Sequence, residues 1–396
     1  MQAAGLLKLV RQGVVESGEF AYGLQYLRQA GALPLNPAHL PLQERVFVLP
    51  PTRLRDGGAL PLTLRDALPD TWGRRVLEAA HGRHLDDVDV LLLTNEDRVG
   101  AMVFGEQLPL HCGPAAQAVH DLEDLAHAAA QLESGRPLSR ALQRLLAGGG
   151  SLGGLRPKAS FVHDGHRHIA KFEARGDDHD VQALEAATLG LARLCGIEVP
   201  HHFLQPLRRA NALVLQRFDR QGDLADETRL HYLSASAILD VRYESSEGSY
   251  VELAQAVRQF CSEPRHALDQ LYRRMVFNLL VDNSDDHVKN HGLLQTAQGR
   301  WQLAPAFDLV MQLSNLGYQA LPLMPGRLES SLTLARASAA QFGLSAVRAN
   351  ALIEELADTV HTQAAIMLDG YGVQADLRRR VQACLDKQAQ VIGLWP

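Results

Sequence analysis

The densest chemistry in this chain lies in VDNSDDHVKNHGLLQTAQGRWQLAPAFDLV, residues 281–310. Around the turn signal TAQGR, the runs HGLLQ and WQLAP read as strands, which predicts a β-hairpin. Asn290 stands just before the first strand and Asp308 follows the second. A hairpin returns its exit beside its entrance, with strands about 4.8 Å apart, so these two side chains are expected to meet. An amide oxygen and a carboxylate are hard ligands suited to Mg²⁺ ions that also bind substrate phosphates. Asp285, in the same loop but not tied to the metal, stands where a carboxylate that orients an attacking hydroxyl and takes its proton belongs. The competing reading is a polar loop whose Asp and Asn cap a helix or make turns. The D-x4-N spacing followed by a hairpin and an Asp favours phosphoryl transfer. His287 and His291 form an H-x3-H pair, but Val288 fills the position where a helical zinc site needs Glu. His287 and Lys289 are instead expected to reach nucleotide phosphates, with ordinary loop structure as the alternative.

A second pattern, GGGSLGGLRPKASFVHDGHRHIAKFEA, covers residues 148–174. Its glycines allow backbone N–H groups to approach and cradle an anion, although a flexible linker would look similar. Asp164-Gly165 is a two-residue hairpin signal. With that turn, Lys158 falls opposite Lys171, and like charges directly opposite repel. An anion must lie beside them: a nucleotide phosphate, or an acidic side chain such as Glu185 on the following helix, or both. A third run, ALVLQRFDR at 212–220, reads as a buried strand entering a turn. Gln216, Arg217 and Phe218 are placed where a two-lobed kinase contacts adenine, against the alternative of a plain core strand.

These patterns need elements to hold them. A helix is expected over roughly Leu64 to His81, in the run ALPDTWGRRVLEAA, within an α/β unit spanning 1–110. Apolar spacing near 3.6 predicts two helices within 118–147, and short β-like runs at 159–173 and 212–218 flank a helix over Val181–Cys195. Amphipathic runs near 231–241, 249–262, 265–281, 345–369 and 375–392 make the rest helical. The expected order is an N-terminal subdomain (1–110), a sheet-rich ATP lobe (111–228) and a helical lobe (229–396), with a cleft between the lobes.

Composition excludes several classes. At 396 residues, 46% hydrophobic and 21% charged, the chain is long enough for more than one core and too apolar for disorder. No apolar run reaches the length of a membrane span and no signal-peptide pattern opens it, so a cytoplasmic protein is expected. Cys112, Cys195, Cys261 and Cys384 are scattered without zinc or redox spacing and are expected to stay reduced. A net charge of −6 argues against a protein that wraps nucleic acid through its own basic face.

The residues resemble the HipA-like serine/threonine kinases, toxins of bacterial type II toxin–antitoxin modules. Six segments carry the resemblance in order: ALPDTWGRRVL (67–77), SLGGLRPKA (151–159), HIAKF (168–172), LVLQRFDR (213–220), NSDDHVKNHGLL (283–294) and LAPAFDLV (303–310). The resemblance implies a bilobal α/β kinase-like fold that transfers the ATP γ-phosphoryl group to a protein Ser or Thr. It implies Asp285 as the catalytic residue, Asn290 and Asp308 as Mg²⁺ ligands, and Lys171 as the ATP phosphate lysine. Gly153, Gly154, Leu155, Arg156, Pro157 and Lys158 would cover the nucleotide. Gln216, Arg217 and Phe218 would contact adenine, and His287, Val288, Lys289, Asn290 and Phe307 would complete the pocket. Ser151 stands where family members autophosphorylate. A small helix-turn-helix antitoxin (HipB-like) is the implied partner, through which operator DNA is reached indirectly. Two rivals remain: a small-molecule phosphotransferase with a similar Asp, Asn and Asp layout, and a catalytically silent co-repressor.

Overall fold

The computed structural model describes residues 3–94, 97–107, 121–136, 155–245, 247–296 and 299–394. Strands β1 (Gly5–Gln12), β2 (Val15–Tyr22) and β3 (Val46–Arg53) form an antiparallel sheet in that order. The expected helix over Leu64–His81 is two helices: a short one over Leu62–Arg65, then α1 over Thr71–His81. Pro69 explains the break, because proline pushes the residue before it out of the helical region. Helix α2 follows at Leu122–Glu133, opened by the Asp121 carboxylate accepting from the Glu123 amide. The second helix expected before Gly148 lies outside the described residues.

A second sheet contains β4 (Lys158–His163), β5 (His166–Lys171), β6 (His202–Pro206) and β7 (Asn211–Gln216), ordered β4-β5-β7-β6. Asp164 and Gly165 make the two-residue turn with φ of 47° and 76°, the left-handed geometry that matches strand twist. The register it sets pairs Lys158 with Lys171 and Lys171 with Leu213. Side chains alternate across the sheet. Ala159, Ala170, Ala212 and Val214 face a core completed by Trp72 and Val76 of α1 and Leu125 and Ala128 of α2. Lys158, Lys171 and Leu213 therefore face the other way, towards α3 (Val181–Leu194). That helix is capped by Asp180 and buried along most of its length.

The small ladder of β8 (Arg220–Gln221) and β9 (Thr228–Arg229) leads into a third sheet, β10 (Tyr232–Ser234), β11 (Gly292–Gln295) and β12 (Trp301–Leu303). The run 231–241 is therefore not one amphipathic helix: it is strand β10 followed by a short helix at Ala235–Leu239. Ser234 divides them, since its hydroxyl accepts from the Ala237 amide as an N-cap. Helices α4 (Tyr250–Phe260), α5 (Pro264–Leu280), α6 (Ala346–Gly370) and α7 (Ala375–Val391) build the largest core together with α3. No helix among the described residues is long and apolar enough to cross a membrane.

Candidate active site

The two facing lysines show what the register demands. Lys171 Nζ donates to Glu185 Oε1 at 2.6 Å and also to the Asp308 carboxylate. Thus β5, α3 and the segment after β12 meet at one ammonium group. Burial pulls Lys171 down, but Asp308 and Glu185 outweigh it and hold the ammonium above its ordinary range. Lys158, also buried, is pushed down to about 8, first by desolvation and further by Lys171, with Asp308 opposing both. Asp308 moves the opposite way: burial would raise it, yet Lys171 and Lys158 hold it below the usual carboxylate range. Its backbone has φ 53°, an uncommon conformation for a side-chain-bearing residue and one that clusters at functional sites.

The hairpin forms as read, with Leu293 opposite Leu303 and Gln295 opposite Trp301. The Ala304 amide donates to the Gly292 carbonyl at 2.9 Å, which closes the open end of the hairpin. Asn290 lies just before that end, and its side-chain Nδ2 donates to the Asp285 carbonyl at 3.4 Å. The Asp285 carboxyl is raised chiefly by burial, with Asp308 and Asp286 adding to the rise and His287 opposing it. Asp285, Asp308 and His287 therefore share one electrostatic neighbourhood. His287 Nδ1 is buried without a hydrogen-bond partner among the described residues, the condition of a polar atom that a ligand can satisfy. Val288 is buried in the helical core and so is not a side-chain contact for nucleotide.

Other expected contacts are placed differently. Lys289 does not stand ready for a phosphate: it donates to Asp70 at 2.5 Å and lies over the Tyr243 ring at 5.1 Å. Arg217 turns inward, with its side chain 1% exposed. It donates to Asp97 Oδ1 at 2.9 Å, to the Arg98 carbonyl at 3.0 Å and to both carboxylate oxygens of Asp219 at 3.0 and 2.8 Å. Only the backbone of Arg217 remains available to a base. The backbone amide of Gln216 donates to the His201 carbonyl at 2.8 Å and extends the β6–β7 ladder by one bond. Phe218 packs on Phe307, ring centroids 5.5 Å apart, beside Tyr232 and Leu294, and makes an apolar wall. In the glycine segment, Leu155 is exposed, Arg156 pairs with Asp177, and the buried Pro157 accepts at its carbonyl from the Phe172 amide at 2.9 Å. Ser151, Gly153 and Gly154 lie outside the described residues.

Sequence reasoning missed a buried support under the loop. Asp286 accepts from Tyr250 Oη at 2.5 Å and sits 2.9 Å from His291 Nε2. Asn278 donates to the same tyrosine oxygen at 3.0 Å and accepts from Asn283 at 3.1 Å. Burial would raise Asp286, but His291 and Tyr250 hold it below its ordinary value. The doubled acid Asp285-Asp286 was the available signal. One carboxylate is exposed and the other is bound inside.

The oxygen types of Asn290 and Asp308 are those that Mg²⁺ takes. Asn290 and Asp308 offer hard oxygens, and the described residues contain no cluster of three or more His, Cys, Asp or Glu side chains able to hold a metal alone. Mg²⁺ commonly uses one or two protein oxygens and completes its shell with phosphates and water.

Comparison with known proteins adds a common pattern. The family profile of the HipA-like C-terminal domain matches residues 150–364, and that of the HipA N-terminal domain matches 2–105. The chain is 26% identical over 307 residues to the serine/threonine-protein kinase toxin HipA of Shewanella oneidensis, covering 68% of this chain and 67% of that protein. A putative kinase of Sinorhizobium fredii is 29% identical over 356 residues, covering 81% and 78%. Among solved structures, HipA in the Shewanella oneidensis complex of HipA, HipB and operator DNA superposes with a TM-score of 0.68 at 18% identity, covering 98% of this chain and 94% of that one.

Proposed function

The chain belongs to the HipA-like family, and from that membership we propose that it is a serine/threonine protein kinase that transfers the γ-phosphoryl group of ATP to a protein hydroxyl. The observation that carries the site assignment is the three-way contact of Lys171 with Glu185 and Asp308. It joins a strand lysine, a helix glutamate and a post-hairpin aspartate at one point, the parts that position phosphates in kinases.

In this reading the Phe218–Phe307 wall and the backbone at Gln216–Phe218 receive the base, while Lys158, Lys171 and the Leu155–Lys158 segment meet the phosphates. Asn290 and Asp308 would hold Mg²⁺, which supplies neutralisation of charge on the phosphate oxygens. The orphaned His287 Nδ1 supports a ligand contact beside Asp285. Asp285 orients the acceptor hydroxyl and takes its proton. Desolvation strengthens this carboxylate as a base, and a positioned base contributes about 10²–10⁴-fold in rate. Incubation with [γ-³²P]ATP should label protein with wild type and lose that labelling by roughly this factor with Asp285→Asn. Equal labelling would refute the role of Asp285.

The partner we propose is a small helix-turn-helix antitoxin, as HipB accompanies HipA in the Shewanella complex. The acidic net charge of −6 supports DNA contact through such a partner more than through this chain.

A further inference from the structure

The segment DALPDTW, at 66–72, plays no part in the proposed reaction, yet it makes three contacts with elements around the site. Asp66 just before it accepts from the Ser234 amide and hydroxyl, both at 2.7 Å, where β10 turns into the short helix of the helical lobe. Asp70 accepts from Lys289 in the catalytic loop at 2.5 Å. The Trp72 indole N–H donates to the carbonyl of Lys158 in the ATP-lobe sheet at 2.7 Å. One short segment therefore grips both sides of the cleft.

The position of Asp70 argues that this grip is more than incidental packing. Asp70 is the N-cap residue of α1, where an Asp side chain ordinarily accepts from the first turn and adds about 1 kcal/mol to the helix. Here its side chain makes no cap hydrogen bond, and its carboxylate is turned across to Lys289. The other anchor is rigid: Trp72 is fully buried in the core that also holds Ala159, Ala170 and Val214 of the ATP sheet. The ATP sheet and α3 already share a core with the helical lobe, and α1 adds a second tie, made by Trp72 on one side and by Asp66 and Asp70 on the other.

We infer that residues 66–72 form a strut from the N-terminal unit that fixes the spacing of the two kinase lobes, with Trp72 as its anchor on the ATP lobe and Asp70 as its latch on the catalytic loop. Both are positioning residues. The inference rests on the kinase reading for its kinetic consequence but not for its mechanical one. A two-lobed enzyme admits nucleotide and releases product by small changes of lobe spacing. Loosening the strut should weaken nucleotide capture while sparing the chemical step, because Asp285 keeps its own support from Asp286, Tyr250 and His291.

The test uses full-length protein with Asp70→Asn, Asp70→Glu, and Asp70→Asn combined with Trp72→Phe. Asp70→Asn should raise KM for ATP about tenfold, the scale of one lost charge-assisted hydrogen bond, with kcat changed less than about threefold. Asp70→Glu should recover most of that loss, which a merely structural role would not explain. Lobe spacing is read separately by electron–electron double resonance between nitroxides at Asp164→Cys and Val347→Cys, both highly exposed positions. The background carries Cys112→Ser and Cys384→Ser. A single narrow distance in the parent and a broader, longer one in the double variant support the strut. An unchanged distance distribution in the folded double variant overturns it, whatever happens to KM. A parent that shows no ATP turnover defeats the kinase reading, and the distance measurement still decides the strut.

Discussion

Glu185→Gln tests how Lys171 is shared. The lysine lies 2.6 Å from Glu185 and also contacts Asp308. At that separation and an effective dielectric near 20, the gross attraction of one pair is roughly 6 kcal/mol, most of it offset by desolvation. Deleting one partner of a buried pair costs about 3–5 kcal/mol. Asp308 still holds the lysine and Gln still accepts a hydrogen bond, so about 2 kcal/mol is expected here. With unfolding entropy of roughly 2 cal/mol/K per residue over 396 residues, that loss lowers Tm by about 2–3 °C. The functional effect should be larger. On the proposed magnesium role, Asp308 turns to the metal while Glu185 keeps Lys171 in place. Without the glutamate charge, the metal must compete with Lys171 for Asp308. The Mg²⁺ concentration giving half-maximal γ-phosphoryl transfer should then rise about tenfold, equivalent to roughly 1.4 kcal/mol, with a fall in rate at limiting Mg²⁺. The assay is [γ-³²P]ATP transfer across a magnesium titration, beside a thermal melt. A half-maximal Mg²⁺ concentration within twofold of the parent would refute the shared-lysine argument.

Two further outcomes follow from burial. Asp219 would be raised by desolvation alone, but Arg217 and Arg220 hold it far below its ordinary 3.8. A depressed carboxylate contributes stability that is present above the unfolded value and lost as pH falls through the folded one. Urea midpoints of the parent should therefore fall as pH drops below about 4. Asp219→Asn should be less stable at pH 7 by about 3 kcal/mol and show a shallower acid slope; parallel pH profiles would contradict the pairing. Burial also pushes the Cys195 and Cys261 thiols up to about 12, so both should resist a thiol reagent at pH 8 until the protein is unfolded. Mass-mapped labelling of either one in the native state would overturn that expectation.

The parts of the site that were legible in the sequence are those governed by short-range rules. The Asp164-Gly165 turn fixed a pairing of Lys158 with Lys171 that holds to the residue, because a two-residue turn leaves no freedom of register. The hairpin after Asn290 was legible from a turn signal between two short apolar runs. Helical periodicity was a poorer guide near local punctuation. In Leu64–His81 it ran through Pro69, and in 231–241 it hid the strand that pairs with β11, since the apolar residues around Leu233 fit either period. Tertiary pairing decided that segment.

Which charge meets which was least legible, and Arg217 shows why. A strand ending in QRFDR offers an arginine to any nearby anion, and the nucleotide was the obvious one. The guanidinium instead closes on Asp219, two residues away, and on Asp97 from a segment 120 residues earlier. A planar fork is better satisfied by two fixed carboxylates and two carbonyls than by a transient ligand. Lys289 obeys the same logic: α1 brings Asp70 within reach, and the ammonium pairs with that carboxylate. Lys171 differs because one of its two acids, Asp308, has its side chain 40% exposed while Glu185 is buried. The buried acid is committed and the exposed one can exchange partners. That asymmetry between its two partners, which no spacing in the sequence records, sets Lys171 apart from Lys289 and Arg217 and is what the proposed nucleotide role of Lys171 requires.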